Sequence, residues 1–229
     1  MAHDIAARLA EVRERIARAA AAASRDPAEI TLVAVGKTFP AEALTAAVAA
    51  GATDLGENRV QEAETKKPHV PPATWHLIGS LQRNKVGRAL ELFQVIHTVD
   101  RVELAERLQR LLETGWPGRR LPVLLEINIA REPQKAGALP ENAGELLSVA
   151  RACPALDVIG LMAIPPLEAD PRASRLHFHA LRELRDALRD QSSLPLGQLS
   201  MGMSHDFEAA IAEGATMVRI GTAIFGARA

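Results

Sequence analysis

Short apolar runs alternate with amphipathic segments along most of the chain. The apolar runs predict strands at 31–36, 53–56, 75–79, 94–98, 121–128, 157–162, 197–200 and 215–220. Apolar residues at helical spacing predict helices between them, for example over 101–114 and 172–190. Gly51 and Gly214 precede the second and eighth runs, where a helix commonly ends on glycine. The runs are continuously apolar rather than alternating, which is typical of a parallel sheet covered on both faces.

Repeated strand–helix units of this kind predict an α/β fold, a single (β/α)8 TIM barrel. A doubly wound open sheet is the alternative, because it is built from the same units. Ile5, Leu9, Val12 and Ile16 recur at helical spacing and predict an extra N-terminal helix at about residues 3–23. No linker or shift in composition interrupts the sequence, so residues 1–229 are expected to form one domain.

Composition narrows the possible partners. The 229 residues include 27 basic and 28 acidic side chains, a net charge of -1 that disfavours nucleic acid as a partner. No apolar run approaches the ~20 residues that a membrane-spanning helix needs. The single cysteine, Cys153, allows no internal disulfide and suits a cytoplasmic protein. Scattered histidines and one cysteine predict no metal site.

Polar residues gather at the ends of the predicted strands, where TIM barrels place their active sites. In LVAVGKTFP the first apolar run leads into Lys37, and the second run ends at Glu57 and Asn58. The last two strand ends, the usual phosphate site of this fold, are rich in small and hydroxyl residues. They are SMGMS, with Ser200 and Ser204, and RIGTAIFG, with Arg219, Gly221 and Thr222. Small side chains let backbone N–H groups approach a phosphate closely.

A lysine at the end of an apolar strand has a chemical use. Desolvation lowers the pKa of its amine and makes it a nucleophile for carbonyl groups. Combined with a phosphate site, Lys37 favours pyridoxal 5′-phosphate (PLP), a phosphorylated aldehyde. A phosphorylated sugar bound as in a class I aldolase is the competing hypothesis. Simpler roles also exist: Lys37 could extend to solvent, Ser204 or Asn58 could cap a helix, and Arg219 could form a structural ion pair.

The sequence resembles a known family in segments that span nearly the whole chain from about residue 30 onward. They are VAVGKTFP (33–40), GENRVQEA (56–63), WHLIGSLQRNK (75–85), HTVD (97–100), EINIAREPQKAG (126–137), GLMAIPP (160–166) and the run 200–226. The family is that of the pyridoxal phosphate homeostasis proteins, or proline synthetase co-transcribed homologues, whose fold is similar to the N-terminal barrel of alanine racemase. Leu55 and Arg59, on either side of GEN, are mild departures from its usual pattern.

The resemblance implies a role for each site residue. It implies that Lys37 holds PLP as a Schiff base and that Asn58 lines the cofactor pocket. Ser200, Gly221 and Thr222 are implied to contact the phosphate, with Ser204 as a further candidate. Arg219 is implied to face the pyridine nitrogen of the cofactor.

Arg219 also bears on whether the protein catalyses a reaction. A cation there disfavours a protonated pyridine ring and so weakens the cofactor as an electron sink. Alanine racemase works with that arrangement but takes a second base, a tyrosine, from another domain of a partner subunit, and this sequence contains no tyrosine. The resemblance therefore implies a protein of intracellular PLP (vitamin B6) and amino-acid homeostasis without robust catalytic activity. We expect a monomer that serves apo PLP-dependent enzymes; a weak single-base amino-acid racemase is the alternative.

Overall fold

The strands form where the apolar runs predict them. The structure is a computed structural model that describes residues 2–166 and 174–227. Its strands are β1 (Thr31–Val35), β2 (Asp54–Glu57), β3 (Thr74–Leu77), β4 (Val95–Val99), β5 (Leu121–Glu126), β6 (Leu156–Met162), β7 (Gln198–Met203) and β8 (Met217–Ile220).

Helices occupy the segments between these strands. The α-helices are α1 (Ala2–Ala22), α2 (Ala41–Ala49), α3 (Val60–Lys66), α4 (Val86–Leu92), α5 (Val102–Gly115), α6 (Ala143–Arg151), α7 (Arg175–Ser192), α8 (Phe207–Ala212) and α9 (Thr222–Phe225). Single 3₁₀ turns lie at Pro27–Glu29, Lys67–His69, Arg83–Lys85 and Pro140–Asn142. In the described part of the chain, no helix is both long and apolar enough to cross a membrane.

The eight strands pair in sequence order and form a closed parallel barrel. Closure occurs between β8 and β1, where Val33 pairs with Arg219 and Ala34 with Ile220. An open doubly wound sheet would leave two unpaired edges, so the TIM barrel is confirmed and the alternative is wrong. All eight strand carboxyl ends therefore meet at one mouth of the barrel.

Helix α1 is the predicted extra N-terminal helix. Its apolar face, formed by Ile5, Leu9, Val12, Ile16 and Ala20, is buried in the main core. This face packs against α2 from the beginning of the barrel and against α8 and α9 from its end. The helix thus bridges elements on both sides of the seam between β8 and β1.

The seventh strand is longer than the sequence predicts. It continues past Ser200 to Met203, and its pairing with β8 shifts register between Ser200 and Met203. Gly202 has a φ of +90°, and a Cβ atom there would lie 2.6 Å from Cβ of Ala210. Glycine is therefore required at a point where the strand turns close to α8.

Two helix starts also differ from the predictions. Helix α8 begins at Phe207, because β7 extends to Met203. Arg59 rather than Asn58 precedes α3, and Asp206 rather than Ser204 precedes α8, so neither predicted cap residue holds that position. The predicted helix at 172–190 is α7, although residues 172 and 173 lie outside the described residues.

The barrel interior combines a small apolar cluster with buried polar groups. Val95, Leu124, Met162 and Met217 form the apolar cluster, separate from the main core between sheet and helices. The buried polar side chains of the barrel strands include His76, His97, Glu126, Ser200 and Arg219. Buried polar groups must find partners to offset their desolvation, so their contacts indicate what the interior is built for.

Candidate functional site

Lys37 lies in the turn that follows β1, two residues beyond the strand, and is half-buried. The next residue, Thr38, has a φ of +69°, a left-handed conformation that sharply redirects the chain. The ring of Phe39 then packs on that of Phe225, with 5.2 Å between ring centroids. The turn carrying Lys37 is thereby held against α9, the helix that follows β8.

A buried lysine from α3 fastens the same turn. Nζ of Lys66 donates to the carbonyl oxygen of Gly36 at 2.9 Å, to Oε1 of Glu57 at 2.8 Å and to Oε2 of Glu62 at 3.1 Å. Oε2 of Glu62 also accepts the backbone N–H of Thr38 at 2.8 Å. We call Lys66, Glu57 and Glu62 the Lys66 clamp, because they fix the backbone on both sides of Lys37.

The Lys66 clamp contains a carboxyl group with unusual acidity. Burial raises the pKa of Glu57 to about 7, although the ammonium group of Lys66 opposes this shift. The side chain of Glu57 is fully buried, and among the described residues its Oε2 atom has no hydrogen-bond partner. The clamp thus places charged side chains beneath the turn, together with one buried carboxyl oxygen that no donor of the described residues satisfies.

Asn58 lies at the carboxyl end of β2, next to the loop that follows β3. The residue is half-buried, and its backbone N–H acts to lower the pKa of the adjoining Glu57, against the larger effect of burial. A Cβ atom at Gly79 would lie 2.3 Å from the carbonyl oxygen of Asn58. Only glycine at position 79 allows the two loops to approach so closely, which places Asn58 at the mouth of the barrel.

The loops after β7 and β8 are joined by a serine hydroxyl. Oγ of Ser204 accepts the backbone N–H groups of Gly221 and Ala223, each at 3.3 Å. Gly221 also abuts β1, since a Cβ atom there would lie 3.4 Å from the carbonyl oxygen of Val35. Thr222 is exposed. The structure therefore brings Ser204, Gly221 and Thr222 together beside the strand that leads to Lys37.

Ser200 and Arg219 meet inside the barrel below these loops. Nη1 of Arg219 donates to Oγ of Ser200 at 2.5 Å, and its Nη2 donates to the carbonyl oxygen of Ala163 at 2.9 Å. Oγ of Ser200 also contacts Nδ1 of His97 at 2.9 Å. The Ser200 side chain is fully buried and engaged with these two partners.

Burial shifts the ionisation of two charged groups in this region. It lowers the pKa of Arg219 to about 10, against the effect of Glu126 and Asp206, so the guanidinium group stays positive at neutral pH. Burial, reinforced by Asp100 and opposed by Arg219, raises the pKa of Glu126 to about 7. Within residues 2–166 and 174–227, no three His, Cys, Asp or Glu side chains are grouped so as to hold a metal ion.

The contacts divide the residues singled out from the sequence into two connected groups. Ser204, Gly221 and Thr222 line one edge of the mouth next to the Lys37 turn, while Ser200 and Arg219 form a buried pair beneath. Asn58 stands on the other side of that turn, with the loop after β3. Their roles toward a ligand stay predictions.

Sequence reasoning missed several polar residues of the site. His76 and His97 lie within apolar runs, and an imidazole in the middle of such a run was the available signal that it faces a polar interior. Glu126 ends the apolar part of its run in the same way. Lys66 and Glu62 gave only a weak signal, the four-residue spacing of an ion pair on a helix.

Three comparisons place the chain among known proteins. The family described as "Alanine racemase, N-terminal domain" matches residues 7–229. A pyridoxal phosphate homeostasis protein of Pseudomonas aeruginosa is 47% identical over 226 residues, covering 98% of this chain and 96% of the relative. The protein of the same name from Aquifex aeolicus is 42% identical, covering 96% of this chain and 97% of the relative.

Solved structures show the same relationship. PipY of Synechococcus elongatus, solved with PLP bound, is 39% identical with a TM-score of 0.85 and covers 97% of this chain and 100% of its own. Its structure without PLP is 40% identical with a TM-score of 0.86, at the same coverage of both chains. Alanine racemase of Clostridium difficile shares the fold alone, at 15% identity and a TM-score of 0.71 over 96% of this chain and 56% of its own.

Proposed function

This chain belongs to the pyridoxal phosphate homeostasis protein family, and we propose that it binds PLP and takes part in PLP and amino-acid homeostasis. The main support for the proposal is that the structure of a relative, PipY, was solved with PLP bound. PipY is 39% identical to this chain and covers 97% of it. The names of the Pseudomonas aeruginosa and Aquifex aeolicus relatives support the role in homeostasis.

The residues at the barrel mouth fit this cofactor in their chemistry. An aldehyde needs an amine, and Lys37 supplies one from a turn that is anchored on both sides. A phosphate needs hydrogen-bond donors and small side chains around it. Gly221 and the exposed hydroxyl of Thr222 meet this need, and Ser204 holds their loop by accepting the N–H of Gly221. A pyridine nitrogen kept unprotonated needs a cation that stays charged, which Arg219 does at neutral pH.

We assign the residues accordingly. The aldehyde carbon of PLP is attached to Nζ of Lys37, and Gly221 and Thr222 hold the phosphate, with Ser204 bracing their loop. Asn58 lines the pocket next to the Lys37 turn. Arg219 faces the pyridine nitrogen. Ser200, which the resemblance places near the phosphate, orients Arg219 through the hydrogen bond between them.

The same geometry argues for storage of the cofactor rather than for catalysis. Bound PLP supplies electron-sink chemistry, and a positive group at its pyridine nitrogen weakens that chemistry. Arg219 is such a group, because its pKa of about 10 keeps it charged. The sequence also contains no tyrosine for the two-base racemisation of alanine racemase.

A weak amino-acid racemase is the second candidate function. The buried carboxyl group of Glu126, with its pKa raised to about 7, is the observation that favours it, since such a group can exchange protons at neutral pH. Formation of the opposite enantiomer above the level of the Lys37→Ala variant would support this activity. A rate equal to that of the variant would exclude it.

The cellular setting follows from the same proposal. We place the protein in the cytoplasm, where the single cysteine Cys153 stays reduced. We further propose that residues 1–229 act as one cofactor-binding domain, that the protein is a monomer, and that apo PLP-dependent enzymes receive PLP from it. Gel filtration with light scattering tests the monomer, and reactivation of an apo-enzyme by the loaded protein tests transfer.

The assignment of Lys37 is tested by loading with PLP. Wild-type protein is expected to take up PLP and become yellow, because the cofactor is joined to an amine. The Lys37→Ala variant is expected to lose most of this colour, whereas the matched Lys85→Ala variant keeps it. Equal colour in the Lys37→Ala and Lys85→Ala variants would overturn the assignment.

A further inference from the structure

A continuous chain of hydrogen bonds crosses the barrel interior from Arg219 to Asp54. Arg219 Nη1 donates to Ser200 Oγ at 2.5 Å, and Ser200 Oγ lies 2.9 Å from Nδ1 of His97. Nε2 of His97 lies 2.9 Å from Nδ1 of His76, and Nε2 of His76 lies 2.9 Å from Oδ1 of Asp54. Five side chains from β2, β3, β4, β7 and β8 are thus linked in series.

The two ends of this chain differ in solvent access. Ser200, His76, His97 and Arg219 are all at most 2% exposed. The side chain of Asp54, at the amino-terminal end of β2, is 20% exposed. It lines a surface cavity of about 350 Å³ together with Arg13, Thr31 and Thr53. The chain therefore leads from the predicted cofactor end of the barrel to water at the opposite end.

The charges of Asp54 and His97 determine which atoms of the chain donate a proton and which accept one. Burial alone would raise the pKa of Asp54, but hydrogen bonds from His76 and Thr53 outweigh it and lower that pKa, so Asp54 is an acceptor. Burial holds the pKa of His97 well below its ordinary value, with electrostatic contributions from His76 and Arg219, so His97 carries one ring proton. The remaining choice is which nitrogen of His97 carries it.

That choice is tied to the charge of His76. If His76 is neutral, its Nε2–H donates to Asp54 and its Nδ1 accepts from Nε2–H of His97, so Nδ1 of His97 accepts the hydroxyl proton of Ser200. If His76 is doubly protonated, its Nδ1–H donates to Nε2 of His97. His97 then carries its proton on Nδ1 and donates to Ser200, whose hydroxyl proton must point elsewhere.

We propose that Asp54, His76, His97 and Ser200 form a hydrogen-bond relay that couples the charge of His76, next to the solvent-facing cavity at the amino-terminal end of the barrel, to the hydrogen bonds of Ser200 beside Arg219. The relay itself is a property of this chain alone; its use in setting the hydrogen bonds around bound PLP rests on the function proposed above. The four residues act as positioning residues toward Arg219.

The transfer balances in atoms and charge. His76 gains a proton on Nδ1 from a hydronium ion of the solvent, which leaves as water, so one N–H bond forms as one O–H bond breaks. His76 becomes positive beside the carboxylate of Asp54, and its Nδ1–H donates to Nε2 of His97. His97 gives up its Nε2 proton to water and takes one from water on Nδ1, so its own charge is unchanged and its Nδ1–H donates to Oγ of Ser200. The net change is one proton gained from solvent and held at the His76–Asp54 pair.

Other charged groups around the relay are few in the described part of the chain. Asp54 and His97 are the titratable partners of His76 on the neighbouring strands β2 and β4, and Thr53 donates to Oδ2 of Asp54 at 2.7 Å. At the other end, Glu126 and Asp206 act electrostatically on Arg219. Titration of Glu126 is thus the alternative source of a pH effect at Arg219, and experiments must separate the two.

Nitrogen-15 NMR of the protein without PLP tests the relay directly. The tautomer of His97 is expected to follow the charge of His76. His97 carries its proton on Nε2 while His76 is neutral and on Nδ1 once His76 is doubly protonated. The two changes are expected to share one pH midpoint. His97 itself is expected to stay neutral throughout. A His97 tautomer independent of the charge of His76, or a positively charged His97, would overturn the proposal.

Substitution of Asp54, at the solvent-facing end of the relay, can be compared with substitution of carboxyl groups outside it. Asp54→Asn removes the carboxylate that favours positive His76, so the shared midpoint is expected to fall by about 1 pH unit or more. Asp157→Asn, at the exposed amino-terminal part of β6, is expected to leave it unchanged. If neither substitution moves the midpoint, Asp54 is not part of a relay. Glu126→Gln, which removes the competing group, is expected to leave the midpoint in place.

The same variants separate this proposal from the function on which its use rests. In PLP-loaded protein, Asp54→Asn is expected to shift the pH dependence of the visible absorption to lower pH, because a negative charge linked to Arg219 is lost. Failure of the wild-type protein to take up PLP would contradict the proposed function while leaving the NMR test intact. Coupled histidines with no spectral shift in loaded Asp54→Asn would contradict the link to the cofactor.

Discussion

Glu126 is a carboxyl group at the carboxyl end of β5, in the same mouth as Lys37. Its side chain is buried, and its Oε2 atom lacks a hydrogen-bond partner among the described residues. Burial raises its pKa from 4.5 to about 7, so the folded protein holds a proton there that the unfolded chain releases. Its contribution to stability is therefore present below pH 4.5 and is lost as the pH rises toward 7.

The Glu126→Gln variant tests this titration. Glutamine stays neutral at every pH, so the variant is expected to unfold with a free energy about 1–3 kcal/mol higher than wild type above pH 7.5, and nearly equal at pH 4.5. Denaturant unfolding of the PLP-free protein across this range measures the difference. The exposed Glu145→Gln variant serves as a control with no pH-dependent change. A Glu126→Gln difference that stays constant with pH would contradict the raised pKa.

Individual site residues differed in how well the sequence revealed them. Lys37 was recognisable because a charged residue directly after an apolar run is unusual. His76 and His97 lie in equally apolar runs, yet their importance depends on contacts with Ser200 and Asp54 from other strands. Such contacts between strands far apart in sequence are set by barrel register, which a local pattern does not contain.

At the scale of single elements, the turn between β1 and α2 depends on a residue from the next helix. Lys66 of α3 bonds to Gly36, Glu57 and Glu62, and Glu62 bonds to the backbone of Thr38. The orientation of Lys37 thus comes from the Lys66 clamp as well as from the turn itself. A positive φ at Thr38 is tolerated because these contacts determine the backbone around it.

Replacing the lysine of this clamp gives an element-scale prediction. Lys66→Met is expected to lower the free energy of unfolding by about 3 kcal/mol, because two carboxyl groups lose their buried partner. PLP uptake is expected to fall as well, because the Lys37 turn loses its anchor. Denaturant unfolding and absorption of loaded protein measure the two effects.

A second substitution separates loss of the ion pair from loss of packing. Adding Glu57→Gln to Lys66→Met is expected to recover part of the stability, since the uncompensated carboxyl group is removed. Lys85→Met, a half-buried lysine outside the clamp, is expected to change stability little. Wild-type stability and PLP uptake in Lys66→Met would show that the clamp does not hold the turn.

The elements themselves were largely predictable, but their ends were not. Continuous apolar runs located all eight strands within a few residues, because burial on both faces leaves a strong local signal. The extension of β7 to Met203 was missed, since it depends on the register shift against β8 and on Gly202 packing near Ala210. The start of α8 was misplaced for the same reason.

At the scale of the whole molecule, closure of the barrel pairs its first strand with its last. Strand β8 pairs with β1, and α1 packs across α2, α8 and α9 on either side of that seam. The sequence pattern alone also fits an open sheet, which was the alternative, because closure is a property of strand pairing rather than of any one segment. The predicted N-terminal helix was the feature of the sequence that indicated such packing, because its apolar face must be buried against another surface.

The contribution of α1 to the closed barrel is testable at its centre. Leu9 is fully buried in the main core, so Leu9→Ala is expected to lower the free energy of unfolding by about 2–4 kcal/mol through lost burial and a residual cavity. Leu176→Ala is the matched control, because Leu176 is 78% exposed. Equal stability of the two variants in denaturant unfolding would show that α1 does not brace the fold.

The proposed attachment of PLP to Lys37 at the mouth of the barrel can be tested by chemical trapping. The visible absorption of PLP-loaded protein is recorded before and after borohydride, and the reduced protein is then mapped by peptide mass spectrometry. We expect a yellow band that disappears on reduction, with a pyridoxyl group on Lys37. A protein that stays colourless with added PLP, or a pyridoxyl group on Lys66, Lys67, Lys85 or Lys135 in place of Lys37, would contradict it.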